Sequence, residues 1–87
     1  MKDQQIEIHI TGPTNSGKTS LTYLITEFLK EKGFDVEVKE SELKELNNTQ
    51  MAYLAKDIDK KIEAISKKTS IKISEFQINN KITYQLA

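Results

Sequence analysis

Apolar residues change their spacing between residue 11 and residue 18, and a glycine-bounded octapeptide fills the gap. Residues 6–11 read Ile6-Glu7-Ile8-His9-Ile10-Thr11, apolar at every second position and rich in β-branched side chains, the pattern of a strand with one face to bury. From Lys18 onward Leu21, Leu24, Ile25, Phe28 and Leu29 fall on one helical stripe. That stripe stops at Lys30-Glu31-Lys32 followed by Gly33 and Phe34. Cations in the last turn, glycine just beyond it and an apolar residue next form a helix stop signal. Asp35-Val36-Glu37-Val38-Lys39 alternates again, so the first 39 residues predict strand, loop, helix, strand, one βαβ unit.

Beyond it, Ser41 to Leu46 predicts a short helical turn with Leu43 and Leu46 inward. Asn48 or Thr49 offers an N-cap for a second amphipathic helix through Met51, Leu54, Ala55, Ile58, Ile62 and Ile65, ending near Lys67-Lys68. Ile71 and Ile73 begin a third strand, whose parity slips at Phe76 and Ile78 as a bulge or strand end near Ser74-Glu75 would cause. Asn79-Asn80-Lys81 predicts a turn into a last alternating strand of Ile82, Tyr84 and Leu86. Every strand carries charged or polar residues on its second phase, among them Glu7, His9, Glu37, Lys39 and Lys72. The expected fold class is therefore α/β: a β-α-β-α-β(-β) domain in two layers, with helices on one face of a three- to four-stranded, mainly parallel sheet. At 87 residues, residues 1–87 are expected to form one domain with a thin core.

The octapeptide Gly12-Pro13-Thr14-Asn15-Ser16-Gly17-Lys18-Thr19 fits G-x-x-x-x-G-K-[ST] between a predicted strand and a predicted helix. Each residue type has a physical reason. Gly12 leaves the strand in a sharp turn, and Gly17 lets backbone amides close on a phosphate without a Cβ in the way. The loop, through Ser20, feeds a helix N-terminus, where unpaired amides and the positive end of the dipole attract an anion. Lys18 is placed to bridge β- and γ-phosphate oxygens, and the Thr19 hydroxyl to ligate Mg²⁺.

On these residues, 6 to about 39 resemble the P-loop NTPase superfamily, and within it the N-terminal portion of nucleotide and small-molecule kinases. In size the chain is also similar to short P-loop proteins encoded by phages. The resemblance implies an ATP-binding site for Mg²⁺ with ATP or another nucleoside triphosphate, with Gly12 to Ser20 binding nucleotide and Lys18 catalytic. It also implies an acid at the end of a later strand, for which Glu75 is the best candidate, as a catalytic and metal-binding partner of Thr19. Glu40 and Glu42 occupy the loop where such kinases often hold an acceptor- or metal-orienting carboxylate; as residues alone, they read first as solvated positions starting a short turn.

Composition bears on what such a site could do. All thirteen basic side chains are lysine, so no arginine is present to stabilise a transferring phosphoryl group, a contribution of ~10³–10⁵ in rate where it occurs. A lid is missing as well, and a kinase- or NTPase-like activity would need groups supplied in trans. The alternative is a non-catalytic nucleotide-binding or protein-interaction module, such as a phage-encoded modulator of a host protein, with a protein partner or self-association. Thirteen basic against thirteen acidic side chains give no broad cationic face for nucleic acid. His9 lacks the second His or Cys that a metal site needs, and Asn80-Lys81-Ile82-Thr83 lacks the acid of a guanine-reading motif. Without cysteine, an apolar leader or any apolar run near the roughly 18 residues of a membrane span, the chain is expected to be cytoplasmic and off the membrane.

Overall fold

The computed structural model describes residues 4–77. Among these residues the chain is all-α, with three α-helices and one short 3-10 turn: α1 spans Lys18–Glu31, the 3-10 turn Glu42–Glu45, α2 Asn48–Lys56 and α3 Ile58–Ser66. The third helix packs on both α1 and α2, and the 3-10 turn packs on α1.

The first helix has the bounds that its apolar stripe and stop signal set. Gly33 adopts φ 99°, Phe34 N–H donates to the Leu29 carbonyl at 3.1 Å, and Gly33 N–H donates to Lys30 at 3.0 Å. These are the two bonds of a Schellman cap, which only a residue free of Cβ strain closes cheaply. Phe28 departs from its expected inward place: it is exposed, with the Lys32 ammonium 5.5 Å from its ring centroid. The predicted second helix is two segments that meet at Asp57, whose φ −104° and ψ 14° lie in the bridge region between helix and strand. Its N-cap is Asn47, one residue before the expected pair. Asn47 accepts from Gln50 N–H at 2.8 Å while the Gln50 side chain accepts from Asn47 N–H at 2.9 Å, a complete capping box.

The expected α/β class is overturned. No strand is present among the described residues, so the βαβ unit, the sheet and the two-layer P-loop arrangement do not form. The final predicted strand, with its turn, lies outside the described residues. Segments 6–11, 35–39 and 70–75 are irregular and unpaired. Alternation persists only locally: His9 Nε2 lies 3.2 Å from Glu7 Oε1, as side chains two apart on one face do. Alternation specifies which face a strand would bury, whereas a strand also needs a neighbour to take its backbone hydrogen bonds. Among the described residues no strand ladder forms, and Ile6 and Ile73 stay 86% and 91% exposed.

The core is correspondingly small. Among the apolar side chains of the described residues only Leu43, in the 3-10 turn, and Leu54, in α2, are buried. Stability is expected to be low, so anything that binds the folded form will shift it measurably.

Candidate anion site at the N-terminus of the first helix

The starts of α1 and α3 both lack a side-chain cap, and α1 differs from every other start in this fold by its left-handed glycine N-cap. Asn47 caps α2, and the Ser41 side chain accepts from Leu43 N–H at 3.1 Å at the 3-10 turn. At α1 the N-cap is Gly17, in the left-handed region at φ 99°, with no side-chain cap and no acid in the first turn. The first helical bond runs from Leu21 N–H to the Gly17 carbonyl at 3.0 Å, which leaves the amides of Lys18, Thr19 and Ser20 without an intrahelical acceptor. Three residues that often cap helices, Thr14, Asn15 and Ser16, stand immediately upstream and make no cap.

Three carbonyls of the preceding loop are engaged. Pro13 O accepts the Lys18 ammonium at 2.9 Å and Ser16 N–H at 3.3 Å. Asn15 O accepts Lys68 Nζ at 3.4 Å, and Ser16 O accepts the Thr69 hydroxyl at 3.1 Å. Asn15 itself sits at φ 64°, a region that asparagine tolerates better than most residues. Left-handed residues on either side of Ser16 turn the chain so that its carbonyls face the end of α3. Loops of this kind expose N–H groups to an anion.

Contacts require glycine at position 17 and leave little room at position 12. A Cβ at Gly17 would lie 2.6–2.9 Å from Cδ1, Cγ1 and Cγ2 of Ile65, so α3 seats directly against the start of α1. At Gly12 a Cβ would meet Ser16 Oγ at 3.1 Å and the Lys18 stem at 3.7 Å; the lysine crosses back over this glycine to reach Pro13.

Next to the loop lies an open cleft of about 860 Å³, between Thr14, Asn15, Gly17, Lys18, Thr19, Ser20 and Thr22 on one side and residues 39–42, Lys44 and Glu45 on the other, with Ile10 also in its lining. Most of the residues that the octapeptide nominated are thus brought to one wall. Gly12, Pro13 and Ser16 shape that wall from behind. Glu75 is exposed and does not line the cleft. Glu42 does line it, and its Oε1 accepts the Thr19 hydroxyl at 2.8 Å. In the sequence Ile65 and Lys68 read only as the stripe and end of a helix and Thr69 carried no signal, because their role at the site arises where α3 ends beside a loop far earlier in the chain. Among the described residues no cluster of three or more His, Cys, Asp or Glu side chains forms a metal site, and no helix is long and apolar enough to cross a membrane.

No protein-family model, curated protein or solved structure matches this chain. With the sheet absent as well, the likeness to P-loop NTPases and to their kinase and phage-encoded members is corrected: it extends to the octapeptide string and no further.

Proposed function

We propose that this chain binds the phosphates of a nucleoside triphosphate, carried as its Mg²⁺ complex, in the cleft at the start of α1, and that it holds this ligand without turning it over. The observation that carries the reading is the asymmetry of the loop backbone: the Pro13, Asn15 and Ser16 carbonyls are engaged, while the first-turn amides of an uncapped helix are not. Donors without acceptors, beside a lysine, suit an anion. Lys18 rests on a neutral carbonyl, which a phosphate oxygen would displace because charge-assisted hydrogen bonds are about twice as strong.

The cleft volume falls within the roughly 300–1,000 Å³ of small-molecule sites. Its lining contains one large apolar side chain, Ile10, so recognition rests on the phosphates and little on the base. Holding without turnover is supported by the absence of arginine from the sequence and by the position of Glu75 away from the cleft. A ligand at 100 times its dissociation constant adds about 2.7 kcal/mol to the folded state, a large effect on a core of this size. The exposed Ile6, Ile8 and Ile73 favour a protein partner, or a second copy, as the reader of that effect.

Thermal unfolding with and without Mg-ATP tests the reading. The midpoint of the wild type should rise, and that of Lys18→Ala should not. Equal rises in both would remove Lys18 from the site.

A further inference from the structure

Two of the segments that alternate without pairing are complementary to each other. Residues 6–10 and 69–73 form no regular structure, and Ile6, Ile8, Ile71 and Ile73 are 86%, 58%, 59% and 91% exposed. Laid antiparallel with Glu7 opposite Lys72, Ile6 meets Ile73 and Ile8 meets Ile71 on one face, and the opposite charges meet on the other. Glu7 Oε1 lies 3.2 Å from His9 Nε2, so the polar phase of the first segment already shows on one side. Lys72 has no ion-pair partner among the described residues.

Other pairings of these segments fit less well. A slip of one residue sets an isoleucine against Lys72. Pairing the second segment with its own copy through the isoleucines sets Lys72 against Lys72, and like charges directly opposite are destabilising. Pairing the first with its own copy leaves Ile71 and Ile73 uncovered. Within one chain the ladder does not close: the Thr69 hydroxyl is committed to the Ser16 carbonyl at 3.1 Å, and no strand joins the two segments.

We propose that two copies of this chain exchange these segments, residues 6–10 of each pairing antiparallel with residues 69–73 of the other, in a two-fold dimer with two equivalent ladders. Both segments depart from one place, since Gly12 and Thr69 each lie against Ser16, and a two-fold axis beside that residue relates the ladders. Each copy keeps its helices, and the isoleucines that a lone chain leaves in water are covered. The association goes beyond the phosphate reading and does not depend on it.

Sedimentation velocity of the full chain over a concentration series tests this with wild type, Glu7→Lys and Lys72→Glu, the two variants run alone and mixed in equal amounts. Both side chains are exposed, so circular dichroism should show the wild-type helix content in each. Wild type should dimerise. Either variant alone sets like charges together in both ladders and should weaken dimerisation by at least about tenfold. The equal mixture should recover wild-type association, because a mixed dimer has an opposite-charge pair in both ladders. Wild type that stays monomeric at every concentration, or that grows on past the dimer, would overturn the proposal. So would a mixture no stronger than its components; if the double variant Glu7→Lys/Lys72→Glu then matched wild type in thermal midpoint while each single variant fell below it, the pairing would lie within one chain.

Discussion

The Thr69 hydroxyl donates to the Ser16 carbonyl at 3.1 Å, joining residues 53 apart in the chain. That bond, with Lys68 reaching Asn15 O nearby, turns the loop carbonyls toward the end of α3 and leaves the start of α1 as a surface of donors. Thr69→Val keeps the shape of the side chain and removes the bond. It should cost about 1 kcal/mol of stability and weaken tripolyphosphate binding several-fold, read from unfolding midpoints and calorimetry. A lost midpoint with unchanged affinity would show that α3 supports the fold without orienting the loop.

Gly17 and Ile65 should behave as a coupled pair. Gly17→Ala places a left-handed alanine at a cost of about 1–2 kcal/mol and drives its Cβ into Ile65, adding about 1–3 kcal/mol of overpacking. Truncating Ile65 in that background relieves the second cost only. The double variant should therefore be more stable than the sum of the single losses by about 1 kcal/mol, measured by a denaturant double-mutant cycle. Strict additivity would mean that the two positions do not touch.

The capping box of α2 offers a control away from the cleft. Asn47→Ala removes a side-chain acceptor from Gln50 N–H and should cost about 0.5–2 kcal/mol. Tripolyphosphate affinity, measured where the variant is still folded, should stay within a factor of about two. A larger change would tie α2 to the site.

Base identity should matter little. With Ile10 as the one large apolar side chain in the lining, Mg-ATP, Mg-GTP and Mg-tripolyphosphate should bind within about tenfold of one another, or about 1.4 kcal/mol. Competition of each against a fluorescent nucleotide measures this directly. A hundredfold preference for one base would require a base pocket that the cleft does not show.

Helices were legible in the sequence where their determinants are local. The stripe from Leu21 to Leu29 and the Gly33-Phe34 stop define α1, and Ser41 to Leu46 contains the 3-10 turn. Asp57 hid the break between α2 and α3 because apolar spacing runs through it undisturbed. The strands misled for a different reason: Ile6-Glu7-Ile8 and Val36-Glu37-Val38 encode a face, and no local pattern encodes whether a second strand comes to meet it. At the site, the residues of the octapeptide were readable, since Gly17, Lys18 and Thr19 follow one another on the chain. Thr69, Ile65 and the Glu42 contact depend on how α3 and the 3-10 turn pack on α1, a tertiary fact without a sequence period.

The central claim is that the free amides at the start of α1 receive a phosphate anion, and amide chemical shifts report on those groups one by one. In a ¹⁵N-labelled sample titrated with Mg-tripolyphosphate, the account predicts saturable shifts concentrated on Gly17, Lys18, Thr19 and Ser20, with smaller ones at Glu42, and their loss in Lys18→Ala. Shifts confined to other lysine-bearing segments, such as residues 60–68, or persisting unchanged in Lys18→Ala, would contradict it.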